Sequence, residues 1–177
     1  MGRFKKGTNG PDTLIGTKFA DKLFGKGGDD LLDGGNGNDL LVGGKGNDLI
    51  KSGAGNDFAF GGKGNDTING GHGYDFLFGG SGDDRLTGGG EIDIMVGGRG
   101  KDEFRIDATG FKNIVVDFCY AQGDRIDIPP GYALSDATIT DNGLSLFGVT
   151  VSWGSSGPVV QILGVANASD VSSAWFI

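Results

Sequence analysis

The sequence predicts an all-β chain in two parts: a parallel solenoid of short strands over residues 7–105, then a second, non-repetitive β region over 106–177. Three observations carry that prediction. Glycine supplies 38 of the 177 residues, about three times its usual share of roughly 7%. Asp12, Asp21, Asp30, Asp39, Asp48, Asp57, Asp66, Asp75, Asp84, Asp93 and Asp102 follow one another at intervals of nine residues. Two positions after each stands an apolar residue without a polar exception: Leu14, Leu23, Leu32, Leu41, Ile50, Ala59, Ile68, Leu77, Leu86, Met95 and Phe104.

Composition excludes other glycine-rich architectures. Glycine does not recur every third residue and proline is scarce, so the chain is not collagen; Leu, Ile, Val and Phe are too plentiful for a flexible linker. Of 23 carboxylates only Glu91 and Glu103 are Glu, so Asp is present for geometry rather than solubility. A net charge of -8 opposes a nucleic-acid partner, which needs a basic stripe. The single cysteine, Cys119, forbids an internal disulfide and a multi-cysteine zinc site, and reads as a small buried hydrophobe. The cationic tail 1–6 is followed by no apolar leader, and no stretch approaches the roughly 20 apolar residues of a membrane span.

Residues 7–105 divide into eleven units, most reading Gly-Gly-x-Gly-x-Asp-x-apolar-x, as in Gly34 to Val42 and Gly43 to Lys51. Six glycine-rich residues turn and three form a short strand, so two units make one flattened coil of 18 residues. Gly28, Gly35, Gly37, Gly44, Gly46, Gly53, Gly55, Gly62, Gly64, Gly71, Gly73, Gly80, Gly82, Gly98 and Gly100 are the turn formers, and their carbonyls are free to act as ligands. Stacked coils bring every second Asp within about 5 Å, where two bare carboxylates repel by about 1 kcal/mol even in water. The fifth-position Asn38, Asn47, Asn56 and Asn65 are expected to brace the turns. Phe19 and Glu91 stand where the fourth position asks for glycine, which makes sites using Asp21 and Asp93 less regular, and the first unit, with Thr8 and Pro11, reads as an end cap.

The eighth residue of each unit points inward, so the seventh and ninth point out, and odd and even units build opposite sheets. The odd face is mixed and includes the cations Lys51, Arg85 and Arg105. The even face presents Leu40 and Val42, Phe58 and Phe60, Phe76 and Phe78, and Ile94 and Val96, an apolar stripe larger than soluble monomers leave bare. Three occupants remain open: another part of the chain, a second copy in a homodimer, or an external partner. Beyond Arg105 strands are expected at Asn113–Phe118, Arg125–Ile128, Thr138–Thr140, Leu144–Phe147, Val149–Trp153 and Val159–Val165, with a turn at Asp141-Asn142-Gly143. Catalysis is not expected: the lone His72 sits at a turn position and no His-Glu-x-x-His is present.

The nonapeptide register resembles the glycine-rich repeat of the RTX proteins, hemolysin-type calcium-binding proteins. The segment around Phe104, Ile114-Val115-Val116-Asp117-Phe118 and Gly123-Asp124-Arg125-Ile126-Asp127-Ile128 is similar to the region after the roll in serralysin-type secreted metalloproteases and in the R-modules of alginate epimerases. The resemblance implies a right-handed parallel β-roll and an antiparallel β-sandwich-like cap continuous with it. It implies calcium between turns of units n and n+2, held by the eleven Asp side chains and by main-chain carbonyls. Eleven units allow up to about nine ions in the roll. Calcium takes about 6 to 8 oxygens, and Asp carboxylates beside turn carbonyls offer nothing softer. An extra site using some of Asp107, Asp117, Asp124 and Asp127 is a further expectation, as is folding driven by the metal. The resemblance also implies export from a Gram-negative bacterium through a type I secretion apparatus by an uncleaved signal near 170–177. Two functions stay open, a non-catalytic structural, secretion or interaction module and a calcium-dependent polysaccharide-binding module; the chain reads equally as a whole protein or as a module of a longer one.

Overall fold

A computed structural model of the chain describes residues 1–107, 112–119, 121–133, 135, 138–141, 148–153, 157–163 and 172–177. Its strands are β1 (Phe4–Lys6), β2 (Thr13–Thr17), β3 (Lys22–Phe24), β4 (Leu31–Asn36), β5 (Leu40–Lys45), β6 (Leu49–Ala54), β7 (Phe58–Lys63), β8 (Thr67–His72), β9 (Phe76–Ser81), β10 (Arg85–Gly89), β11 (Ile94–Arg99), β12 (Glu103–Arg105), β13 (Lys112–Val115), β14 (Arg125–Asp127), β15 (Thr138–Asp141), β16 (Gly148–Ser152) and β17 (Val159–Leu163). Two sheets result, in the orders β1-β3-β5-β7-β9-β11-β13-β17-β16-β15 and β14-β12-β10-β8-β6-β4-β2. Odd and even units therefore do build opposite sheets. Each parallel neighbour in the roll pairs residues 18 apart, as in Leu41↔Ala59 and Ile50↔Ile68.

All eleven eighth-position side chains are buried between the sheets, Leu14 at 8% exposure and the others at 0%. In the body of the roll the strands are twice as long as the expected three residues. β5, β7 and β9 run six residues through the next glycine pair, because the first glycine of the pair is itself extended and inward-facing. The second glycine carries the turn: Gly44 has φ 122° and Gly62 φ 121°. A Cβ at Gly44 would also collide with the carbonyl of Lys26 one coil earlier. Glycine is thus required there by both conformation and close approach.

The coil outlasts the repeat. β13 pairs with β11 at an offset of twenty residues, Ile94↔Ile114, and β14 pairs with β12 at twenty-two, Glu103↔Arg125. The repeat vanishes because the connecting turns lengthen, while the two-sheet geometry persists. β17 then joins β13 in parallel, and β16 and β15 follow antiparallel, so the cap prolongs one sheet. Ile126, Val151, Trp153, Val160, Ile162 and Trp175 extend the same core. The expected Leu144–Phe147 strand and the Asn142-Gly143 turn lie outside the described residues. At the opposite end Phe4–Lys6 pairs with Lys22–Phe24 and adds one more rung.

On the even face Phe58 and Phe76 stack at 5.0 Å, and Phe60 and Phe78 at 4.8 Å. Phe58 is 46% exposed, while Leu40, Val42, Phe60, Phe76, Phe78, Ile94 and Val96 are half-buried. The cap strands lie at the end of this sheet and not over its face.

Among the described residues two non-glycines hold positive φ, Lys26 at 86° and Glu91 at 71°. Glu91 keeps the turn geometry that its fourth position demands, whereas Phe19 does not, so that turn is rearranged. Left-handed backbone costs a side-chain-bearing residue about 1 to 2 kcal/mol. Lys26→Gly is expected to raise the stability of the folded chain by about 1 kcal/mol in denaturant unfolding, and Gly44→Ala to lower it. A loss of stability in Lys26→Gly would show that its φ carries no strain.

Candidate metal centre

The sixth-position aspartates form two ladders, one along each edge of the roll. Asp12, Asp30, Asp48, Asp66, Asp84 and Asp102 line the odd edge; Asp21, Asp39, Asp57, Asp75 and Asp93 line the even edge. Ten of the eleven are between 0 and 3% exposed, Asp12 being the half-buried exception. Within each ladder the backbone N–H of one Asp donates to Oδ1 of the Asp one coil later. Asp39 to Asp57 is 2.7 Å, Asp48 to Asp66 is 2.7 Å and Asp75 to Asp93 is 3.0 Å. One carboxylate oxygen therefore fixes the coil spacing.

The second oxygen has a different fate. Oδ2 of Asp30, Asp39, Asp48, Asp57, Asp66, Asp75, Asp84, Asp93 and Asp102 is buried without a hydrogen-bond partner. Each of these nine anionic groups would be costly to bury alone. The space beside them is shaped by glycine. A Cβ at Gly70 would collide with Asp75 Oδ2 and meet the Gly88 carbonyl, and one at Gly34 would collide with Asp39 Oδ2 and the Ser52 carbonyl. Carboxylate and carbonyl oxygens thus converge where the first glycine of the unit has no side chain. Among the described residues no three His, Cys, Asp or Glu side chains converge, so main-chain oxygens must complete any coordination shell. The donor set is oxygen only, and it fits calcium.

Asp12 and Asp21 do not share the deficit. Thr8 donates its N–H at 2.6 Å and its hydroxyl at 2.9 Å to Asp12 Oδ2, and Thr17 does the same to Asp21 Oδ2 at 2.6 and 2.8 Å. Hydrogen bonds from the Thr8 backbone and hydroxyl hold Asp12 below the usual carboxylate range. For Asp21, burial is outweighed by the backbone N–H of Arg3, the Thr17 donors and the Arg3 charge, and its pKa also falls. Arg3 precedes Asp12 by nine residues and occupies the sixth position of an unrecognised unit, while Lys5, in the inward position, reaches the Ile15 carbonyl with its Nζ at 2.6 Å. That spacing was the signal that could have found them.

The fifth-position side chains brace the turns as expected. Asn38 Oδ1 accepts from Asn56 N–H at 2.9 Å, Asn47 from Asn65 at 2.7 Å and Asn56 from Tyr74 at 3.0 Å. All fifteen turn glycines named from sequence have positive φ. Ser52 was overlooked: it stands in a first-glycine position, fully buried, with Oγ unpartnered near the ladder.

The four carboxylates beyond the repeat are not brought to one point. Asp117 caps Gly97 and Gly98, accepting their N–H groups at 2.8 and 2.7 Å. Asp124 follows Asp102 in the odd ladder and accepts from the N–H groups of Asp102 at 3.1 Å and Cys119 at 2.7 Å. Asp127 pairs with Arg105 at 3.2 Å, and Asp107 lies near Asp93. On the odd face Arg85 pairs with Glu103 at 2.7 Å, so two of the three cations anticipated there are engaged.

A model of the RTX calcium-binding nonapeptide repeat matches residues 6–41, 33–68, 42–77, 60–95 and 69–104, more than half of the chain. The chain belongs to the RTX calcium-binding repeat family. Among solved structures this RTX chain is similar to a subunit of the mannuronan C5-epimerase of Azotobacter vinelandii, at 20% identity and TM-score 0.43 over 97% of this chain and 80% of that one. It is also similar to the extracellular lipase LipA of Serratia marcescens, at 20% identity and TM-score 0.37 over 100% of this chain and 40% of that one. No curated protein sequence matches it significantly.

Burial, opposed by the backbone N–H bond and reinforced in most by neighbouring carboxylates, pushes Asp39, Asp48, Asp57 and Asp102 from 3.8 up to about 6. The same balance pushes Asp66, Asp75, Asp84 and Asp93 up to about 7. A carboxylate raised on folding contributes stability that is complete below its unfolded pKa and lost as pH rises through its folded one. The chelated RTX roll should therefore gain stability as pH falls from above 7 toward 4, and calcium affinity should fall over the same window. Far-UV circular dichroism in chelator across this pH range, with thermal unfolding wherever β signal is present, checks this; less β signal or a lower midpoint at pH 5 than at pH 7.5 contradicts it.

Proposed function

We propose that this RTX chain is a secreted, non-catalytic calcium-binding module that folds when extracellular calcium fills its Asp ladders, and that it serves as a structural, secretion or interaction element. The observation that carries the reading is the row of nine buried Asp Oδ2 atoms with no partner. Calcium would supply the positive charge and oxygen coordination that those atoms lack, while the chain contributes spacing through Oδ1 and close approach through glycine. Several ions, up to about nine in the roll, follow from the nine pairs of units n and n+2 that eleven units make. A non-catalytic role is supported by the exposure of His72 at the end of β8 and by the commitment of the buried carboxylates to the ladders.

Export by a type I apparatus in an unfolded state is supported by the placement of the last residues. Trp175 is packed in the core, and Ile177 N–H donates to the Ile126 carbonyl at 3.0 Å. A signal in this region is readable only before the cap closes. No helix among the described residues is long and apolar enough to cross a membrane.

At neutral pH the chain in chelator is expected to be largely unordered by circular dichroism and to gain a cooperative β spectrum on adding calcium. Asp57→Asn with Asp75→Asn should weaken calcium affinity at least tenfold, because adjacent steps of one ladder lose charge. A full β spectrum in chelator at pH 7.5, with no heat on calcium titration, would refute the reading.

A second reading, calcium-dependent polysaccharide binding, draws on an open groove of about 320 Å³ lined by Ala20, Asp21, Lys22, Asn38, Asp39, Leu40, Asn56 and Phe58. An exposed aromatic ring beside amides and a cation suits a sugar face better than the ion-paired odd face does. Glycan-array binding in calcium, lost in chelator and reduced about tenfold by Phe58→Ala, is the expected result. Undiminished binding by Phe58→Ala removes this groove. Pairing of two copies through the Phe58, Phe60, Phe76 and Phe78 stripe and cover by another part of the chain are the other uses of the even face, and light scattering in calcium distinguishes a dimer from a monomer.

A further inference from the structure

The two ladders end differently where the roll meets the cap. On the odd edge the place after Asp102 falls to Asp124, whose two oxygens are both used by backbone N–H groups. On the even edge the place after Asp93 falls to Asn113. Ile114 N–H donates to the Asp93 carbonyl at 2.8 Å, as Ile94 N–H does to the Asp75 carbonyl at 2.9 Å one coil earlier. Asn113 is 1% exposed, and neither its Oδ1 nor its Nδ2 has a hydrogen-bond partner.

The amide is aimed at a specific place. A Cβ at Gly88 would collide with both Asn113 Oδ1 and Asp93 Oδ2. One coil earlier the equivalent space, beside Gly70, is bounded by Asp75 Oδ2 and the main-chain carbonyl of Gly88. The side-chain amide oxygen has thus replaced a backbone carbonyl in a cradle otherwise like those of the repeat. Asp93 Oδ2 is itself unpartnered, and the Asp107 carboxylate lies close enough to add a second negative charge. A neutral amide oxygen, an unsatisfied carboxylate oxygen and a second negative charge form an oxygen-only, anionic environment suited to a hard divalent cation.

We propose that Asp93, the last ladder Asp of the even edge, and Asn113, with the charge of Asp107 beside them, hold a calcium ion beyond the last pair of repeat units, and that this ion fastens the cap to the roll. Asn113 lies on β13, and β13 pairs with both β11 of the roll and β17 of the cap. An ion gripping Asn113 and Asp93 therefore ties the strand on which the cap is built to the last regular coil of that sheet. The inference rests on the calcium reading of the roll but concerns a site that the repeat does not encode.

The test uses the full chain and calcium alone. Stoichiometry is measured by equilibrium dialysis with metal analysis, and affinity by calorimetry. Cap assembly is followed through Trp153 and Trp175, the chain's 2 tryptophans, both in the cap core. Asn113→Ala is expected to bind one calcium fewer than the wild type and to shift the tryptophan transition to at least threefold higher calcium. The circular dichroism transition of the roll should move less. Asn113→Asp keeps the side-chain shape and adds charge, so it should retain the full stoichiometry with one ion bound about tenfold more tightly. If Asn113→Ala binds as many ions as the wild type with unchanged affinities, the proposal is overturned. If Asn113→Ala does not fold, an Asn113→Asp variant with unaltered calcium affinity and an unaltered tryptophan midpoint overturns it instead. A wild-type chain that binds no calcium at all is a distinct result, which removes the reading of the roll together with this one.

Discussion

One buried carboxylate, repeated along each edge, sets the terms for the whole molecule through the way it divides its two oxygens. From Asp30 onward, Oδ1 of each ladder Asp accepts the backbone N–H of the Asp one coil earlier, which sets the distance between coils. Oδ2 of nine of them is left in a dry, oxygen-lined space. The group that holds the solenoid together is therefore also the group that makes the metal-free solenoid expensive. A protonated carboxyl relieves the charge, but only below the raised pKa values of about 6 to 7 of the ladder centre. A divalent cation among these oxygens would relieve it at neutral pH.

The glycine pattern has the same origin. First-position glycines leave room for Oδ2 and a carbonyl; second-position glycines such as Gly44 and Gly62 make the left-handed turn that lets successive coils approach. Solenoids must also end without exposing their core. At the amino end threonines and cations stand in for metal: Thr8 and Thr17 satisfy Asp12 and Asp21, and Lys5 places a polar side chain where the core would otherwise be open. At the other end Asp117 and Asp124 satisfy the last turns with backbone hydrogen bonds, and the sheet carrying β13 passes into the cap.

Because alternate units build opposite sheets, the two outer faces become distinct surfaces. Every even unit points its seventh and ninth residues to the same side, so a small bias in each unit accumulates into stacked phenylalanines. The odd face instead accumulates cross-rung ion pairs, Arg85 with Glu103 and Arg105 with Asp127. The apolar side keeps its outward rings in register, and the described cap strands continue this sheet at its end.

The roll was legible in the chain alone. A nine-residue period places one Asp and one apolar side chain at the same point of every half-coil, and stacking the coils buries all eleven apolar residues together. The turn glycines, the bracing by Asn38, Asn47 and Asn56, and the opposition of the two faces could be read for the same reason. Which carboxylates lack a partner is instead settled by packing in three dimensions. Asp21 and Asp39 are indistinguishable as repeat positions, yet Thr17 satisfies one and nothing among the described residues satisfies Oδ2 of the other. Packing also settles the pairing beyond Arg105, where the offset between partner strands shifts from 18 to 20 and 22 residues and brings Asn113 and Asp124 into the two ladders. A period is a property of the chain and is visible along it; the meeting of Asn113 with Asp93 arises from loops of unequal length, whose closure depends on the packing of the cap.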